Sequence, residues 1–414
     1  MPHLARSRSP KRRKSLSREI DETLTRRLRV GKSDPELWRA YQDARKGARA
    51  AVVAFGAWLE VAAQENARFT PLRSDTWSRL VLGATGVKVD VDALKIRVAR
   101  DIAELDRLAN PFRELSLDVE PPPAPTPLPP REVADLARTT LASGWSVAEH
   151  LGFARGEMPA LWVEPEIATG PPGDPIDATW VVDGKGTARA SLAILVGGSN
   201  WTPAEKERRT SELTPPALRA RVLRFGYPGE LLWETWSREH AQVGYRALWN
   251  ETMRSAWGLF AADVCTRVEP DENPLARDEP LRREVARERL LEAVRCYVAL
   301  RVHAEGATEA EAAREFSALT ELGPELSAQE ARETLLDPLR GAAYLGYREL
   351  IRLEGELAAD ADPVFAIRWV GHLTRRAPSA APNVHSEDWK TVAAELKKAA
   401  AAPEEAAGSL EEDR

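Results

Sequence analysis

The chain has 414 residues, 43% of them hydrophobic, and a formal net charge of −6. That length and apolar content suffice for one large core or two modest ones, and no stretch reads as a membrane span, so a soluble globular protein is expected. Cys265 and Cys296 are the only cysteines; they are too few for a disulfide framework and lack metal-ligand spacing, so both read as small buried thiols on helices.

Residues 1–17 hold Arg6, Arg8, Lys11, Arg12, Arg13 and Lys14 with no apolar run behind them, unlike a secretory signal, and a cytoplasmic location is expected. This basic arm is expected to be disordered. Charge alone would let it hold a polyanion, but a solvated tail explains the same run, and no nucleic-acid binding is expected. Ser17–Ile20 then opens a helical pattern. Ser33-Asp34-Pro35-Glu36 starts another that runs toward Asn66, with Leu37, Tyr41, Ala44, Ala48, Val52 and Phe55 on one stripe. A third, roughly Val91 to Leu108, carries Leu94, Ile96, Val98, Ile102 and Leu105.

Residues 120–131 read E-P-P-P-A-P-T-P-L-P-P-R, a stiff polyproline-like connector. It divides an amino-terminal helical region, 18–119, from a second unit, 132–377, although a proline strap across one continuous fold would leave the same trace. From about 160 to 197 the period changes. Leu161 to Val163, Thr179 to Val182 and Ala188 to Val196 are apolar or β-branched runs, separated by Gly170-Pro171-Pro172-Gly173 and Asp183-Gly184-Lys185-Gly186. They predict a small sheet with one tight hairpin. Thr202-Pro203-Ala204-Glu205 is a capping box that returns the chain to helix, and Thr308 with Glu311 and Ser327 with Glu330 repeat the device. Residues 378–414 read as a last helix and an acidic, disordered tail. The fold class expected is mainly α with a small β-sheet, α+β.

The stretch with the most chemical content is Arg224-Phe225-Gly226-Tyr227-Pro228-Gly229-Glu230, followed by Ser255-Ala256-Trp257-Gly258-Leu259-Phe260-Ala261. These resemble the bacterial family catalogued as domain of unknown function 885, mostly helical and zinc-peptidase-like, whose signatures read H-E-x-Y-P-G-H and E-G-W-A-L-Y-A-E. Two further segments support the resemblance. Arg295 to Gly306 is similar to a family segment ending D-x-G-L-H-x-x-G, with His303 on the family's His and Ala299 on its Asp. Asp337 to Tyr347 is similar to D-P-G-Q-A-x-x-Y-x-x-G, with Ile351 close to register. The resemblance covers roughly Trp201 to Leu357 and implies a zincin-like helical peptidase architecture.

The scaffold residues of the signatures match and the chemical ones do not. The family's two His ligands fall on Arg224 and Glu230, its general-base Glu on Phe225, and the Glu before Gly-Trp on Ser255. A zinc ligand must offer a lone pair, so Arg224 cannot bind the ion, Phe225 cannot act as a base and Ser255 is a poor ligand. No catalytic residue and no metal ligand are therefore expected, and zinc, which the resemblance implies for the family, is not expected here. Tyr227, Trp257 and Tyr344 are candidates to line or support a groove, and Trp233, Trp236 and Trp249 read either as groove or as core. Positions 224 and 230 fall roughly 120° apart on an ideal helix, so a kink or bulge at Pro228-Gly229 is needed to bring them together. Either Arg224 faces Glu230, with Ser255 and His303 completing its hydrogen bonds, or both side chains point to water.

The function expected is that of a catalytically inactive relative of the family that binds a peptide or protein. An active hydrolase with a site rearranged around Glu230, Glu234, Glu251 and His303, with His240 a further candidate for a rearranged metal site, is one alternative, and a helical adaptor working through its charged termini is another. Glu234 and Glu251 also have plain partners in Arg238 and Arg254.

Overall fold

The computed structural model describes residues 71–111, 128–159, 161–168, 176–182, 188–198, 213–239, 250–268, 273–359 and 362–376, with a few isolated positions besides. The expectations for the basic arm, the helices before residue 66, most of the Pro-rich connector, the turn at 183–186, His240, Trp249 and the acidic tail lie outside these residues. What is described is mainly α with one small sheet. Helices α1 (Ser74–Thr85), α2 (Val91–Ala109) and α3 (Pro130–His150) precede strands β1 (Leu161–Ala168), β2 (Ile176–Val182) and β3 (Ala188–Gly198). Then come α4 (Pro215–Phe225), α5 (Glu230–Glu239), α6 (Glu251–Arg267), α7 (Glu279–His303), α8 (Glu309–Leu319), α9 (Pro324–Leu336), α10 (Ala342–Ala358) and α11 (Pro363–Arg376).

Local chemistry accounts for most helix starts. Asp90, Asn250 and Asp278 each accept from a backbone N–H three residues on, at 3.0, 3.1 and 2.9 Å, which satisfies one of the donors a first turn leaves open. Thr308 and Glu311 form the full reciprocal box, as the sequence predicts. Ser327 does not cap a helix. The cap of α9 is Gly323, with Pro324 at the first helical position, and proline there starts the helix before Ser327 is reached. The Ser327 hydroxyl instead donates to the Leu322 carbonyl, and Glu330 is drawn into ion pairs described below.

The sheet has the order β1-β3-β2. β2 and β3 are the antiparallel hairpin that the Gly-rich turn predicts, whereas β1 runs parallel to β3 on its other side. Val163, Leu192, Ile194 and Ile176 are buried on one face, the face on which α3 packs against β1 and α4 and α5 pack against β2. Trp162, one residue out of phase, is 60% exposed, as the two-residue period of a strand requires.

Helices α6 and α7 are at the centre. From Ala256 to Thr266 every residue of α6 is buried, and α7, 25 residues long, packs against α2, α4, α6, α8, α9 and α10. The core runs across the Pro-rich segment, because α2 lies along α7 and shares one apolar cluster with it. Leu94, Val98, Ile102 and Leu105 face that cluster, but Ile96 is 74% exposed. Two residues from both Leu94 and Val98 is about 200° of helical rotation, the opposite face. Among the described residues no helix is long and apolar enough to cross a membrane.

Candidate functional site

A helix buried on all sides must find partners inside the protein for every charge it carries. The segment that resembles the metallopeptidase signature meets α6 and α7 where this demand is greatest. The chain does not run through it as one kinked helix. α4 stops at Phe225 and α5 begins at Glu230, with Leu231 N–H bonding back to the Gly226 carbonyl and Leu232 N–H to that of Gly229. Pro228 has no N–H to continue the ladder, the Tyr227–Pro228 peptide is cis, and a side chain at Gly229 would have no room against the Arg224 carbonyl. The break is pinned from both sides. Trp257 Nε1 donates to the Pro228 carbonyl at 2.9 Å, and the Tyr227 ring meets Trp145 edge-on at 5.1 Å.

Gly258, one turn of α6 beyond Ser255, lets that helix close on the break. A Cβ there would lie 2.7 Å from the Arg224 carbonyl oxygen, 2.8 Å from Glu230 Cγ and 3.3 Å from Arg224 Cγ. Positions 224 and 230 therefore do converge, as the signature's geometry requires. Their polar ends diverge.

The Arg224 guanidinium turns to α7, where Nη1 donates to Glu288 at 2.8 Å and Nη2 to Glu292 at 2.9 Å. Arg221, one turn earlier on α4, takes the other Glu288 oxygen at 2.9 Å. The chain of charges continues beyond Glu292 through Arg295 at 2.8 Å, Glu330 at 2.7 Å and Arg340 at 2.7 Å to Glu333 at 2.6 Å. Four guanidiniums and four carboxylates thus alternate between α4, α7, α9 and the turn before α10. Burial opposes the charge on Glu288, but Arg221 and Arg224 outweigh it and hold the carboxyl down to about 2. Glu330 is likewise at about 2, against burial, because of Arg295 and Arg340. Glu292 is also lowered, with Arg295 and Arg224 overriding burial.

Glu230 is 1% exposed and pairs with Arg254 of α6 rather than Arg224, Nη2 to Oε2 at 3.2 Å. The same guanidinium serves Glu234 at 2.9 Å and Glu251, so one arginine is shared by three carboxylates. Arg238, half exposed, approaches Glu234 only at 3.9 Å. Here burial prevails. It lifts the Glu230 carboxyl to about 7 in spite of Arg254 and Arg224, with Glu251 adding repulsion, and it raises Glu234 for the same reasons. The Ser255 hydroxyl favours the charged form of Glu230 but makes no well-formed hydrogen bond to it. Oε1 of Glu230 has no partner within hydrogen-bonding reach.

Other expected site residues are dispersed. His303 ends α7, eleven residues after Glu292 and so about 16 Å along the axis. It is buried, with Nε2 at 2.7 Å from the Thr334 carbonyl, and burial lowers its pKa. Tyr344 faces α2 instead, donating to Asp101 at 3.2 Å beside Tyr347 and Arg348. Arg224 facing Glu230 with Ser255 and His303 around it is therefore corrected. A guanidinium projects its donors roughly 6 Å beyond its Cα, and the paired carboxylates of α7 outcompete one that already has Arg254. Phe225 is partly buried, with the Arg224 guanidinium 4.9 Å from its ring centre. Trp233, Trp236 and Trp257 are fully or nearly buried, with Trp257 stacked among Trp236, Phe153 and Phe260. They are core, not groove. Glu288 and Glu292 are what the sequence reading missed. Like charges at i, i+4 on one face of a helix repel, and that pattern is a signal that cations come to them from elsewhere.

Zinc does not fit these residues. The place where three helices converge presents an arginine whose Nη1 and Nη2 are committed to carboxylates, and among the described residues no group of three or more His, Cys, Asp or Glu could hold an ion. Cys265 and Cys296 are buried, and burial raises both thiols.

No protein-family model matches the chain, and no curated protein is similar to it. Solved structures are similar in fold. One is a candidate lipoprotein of unknown function from Shewanella oneidensis, 14% identical with a TM-score of 0.58, the match covering 86% of this chain and 69% of that one. Another is a candidate lipoprotein from Colwellia psychrerythraea, 13% identical with a TM-score of 0.63, covering 86% of this chain and 59% of that one. At such identity the likeness is one of fold alone.

Proposed function

We propose that the chain is a catalytically inactive relative of the zinc-peptidase-like family, zincin-like in architecture, that works by binding a peptide or protein. The observation that carries this reading is the Arg224 guanidinium fixed between Glu288 and Glu292 where the resemblance has a histidine ligand. A fixed cation there satisfies the buried carboxylates that a bound ion would otherwise meet, and it repels a second cation. Phe225 supplies no base at the neighbouring position, where the resemblance has the family's general-base Glu. The peptide or protein ligand is what the peptidase-like resemblance implies. The rearranged hydrolase loses support because His303 lies far along α7 from Glu230.

The test is metal and turnover together. Purified protein is expected to carry well under one equivalent of zinc, to show no rise in Tm on adding zinc, and to bind peptides from a library without cleaving them. A true site would raise Tm by mass action. Near-stoichiometric zinc, lost on chelation together with a peptidase activity, would overturn the reading.

A further inference from the structure

Three carboxylates converge on Arg254, and one of them, Glu230, is buried with an oxygen that has no hydrogen-bond partner. Glu230 and Glu234 of α5 and Glu251 of α6 share the Arg254 guanidinium, and Arg238 approaches Glu234 at 3.9 Å from a half-exposed position. Arg224 of α4 bears on Glu230 through space, but its Nη1 and Nη2 donate to Glu288 and Glu292, and its Nε is buried without a hydrogen-bond partner. These groups, with Ser255, are the ones that govern Glu230. α11 and β2 also pack on α5 and contribute none of them. Glu230 is thus enclosed by two helices and a chain break, has one oxygen on Arg254, and has the other buried without a partner. Among the described residues no group of three or more His, Cys, Asp or Glu is assembled to hold a metal here.

We propose that a proton completes this cluster, making Glu230 a pH-responsive latch that fastens the start of α5 to α6 when protonated and loosens it when charged. Protonation leaves two carboxylates facing Arg254 and Arg238 and gives the buried Oε1 side a hydroxyl. Loss of the proton places a third negative charge beside Glu234 and Glu251 in a site that water does not reach. Burial already lifts this carboxyl to about 7, so the change falls near neutral pH. α5 is the element that responds, because Glu230 is its first residue and its Trp233 and Trp236 seat it in the core. This inference does not depend on the proposed function.

The experiment compares the full-length protein with Glu230→Gln by urea unfolding from pH 5 to 8.5, together with hydrogen exchange of α5 in the unmodified protein at pH 6 and 8, corrected for intrinsic rate. A raised carboxyl stabilises the folded form below its ordinary pKa, and that contribution is lost as pH climbs to the folded value. The folding constant of Glu230→Gln relative to the parent should therefore rise on the order of a hundredfold across the range, and α5 should exchange faster at pH 8 than at pH 6. A pH-independent difference between the two proteins, or unchanged α5 protection, would overturn the latch. If Glu230→Gln does not fold, the exchange measurement alone decides. Stabilisation at pH 8 by added zinc or calcium equal to that of acidification would also overturn it, by making the cluster a cation site.

Discussion

Two charge clusters meet at the α4–α5 break, built from the same residue types and comparably buried, and their carboxyls shift in opposite directions. In the ladder from Arg221 to Glu333, Glu288, Glu292 and Glu330 each lie between two guanidiniums, and Glu288 and Glu330 sit at about 2. Around Arg254 three carboxylates share one guanidinium, and Glu230 sits at about 7. Desolvation is the first cause in every case and always opposes charge on a carboxyl. The number of cations per carboxylate therefore decides the sign, a lesson that burial alone would not teach.

Removing a cation from the balanced ladder is the severest way to break the comparison. Arg224→Met should strand Glu288 and Glu292 with only Arg221 and Arg295, at a cost of about 3–5 kcal/mol, read as a lowered urea midpoint or as failure to fold. Acid attacks the same ladder from the other side. Glu288 and Glu330 have depressed folded values, so their stabilisation is present above the ordinary carboxyl range near pH 4.5 and is lost as pH falls toward 2. That loss is worth about 3 kcal/mol for each group. Denaturant titrations between pH 5 and 2.5 should show the fall, and Glu288→Gln should remove part of the slope.

Gly258→Ala tests whether α6 must lie this close to both clusters. Its methyl would meet the Arg224 carbonyl oxygen and Glu230 Cγ below normal contact, and overpacking of that kind costs about 1–3 kcal/mol. A calorimetric Tm unchanged from the parent would show that the break relaxes freely. The smallest effect is expected at the Arg352–Glu356 pair, whose side chains are 42% and 60% exposed. Glu356→Gln should change stability by less than about 1 kcal/mol, because solvent screens both charges.

How much of this could be read from the sequence depends on how local each interaction is. The Thr308 box and the β2–β3 hairpin are written within a few residues, and they were legible; at Pro228-Gly229 the residue types predict a kink or bulge, and the chain instead ends one helix at Phe225 and starts another at Glu230. The pairing of β1 with β3 rather than β2 was not, since strand partners are set by packing between distant segments. The convergence of positions 224 and 230 was legible from Tyr227-Pro228-Gly229 and Ala256-Trp257-Gly258, because close backbone approach needs small or rigid residues. The partner of Arg224 was not. Its donors end 64 and 68 residues away, and an arginine's reach allows several carboxylates to compete for it. Only the like-charged spacing of Glu288 and Glu292 hinted at the outcome.

The most direct test of the account is a carboxyl ¹³C NMR titration of the glutamates, assigned by single Glu→Gln substitutions. Glu288 and Glu330 should stay charged down to about pH 2, and Glu230 should titrate near 7. Titration of all three in the ordinary glutamate range, or of Glu230 below Glu288, would contradict the claim that cation supply sets the state of this centre.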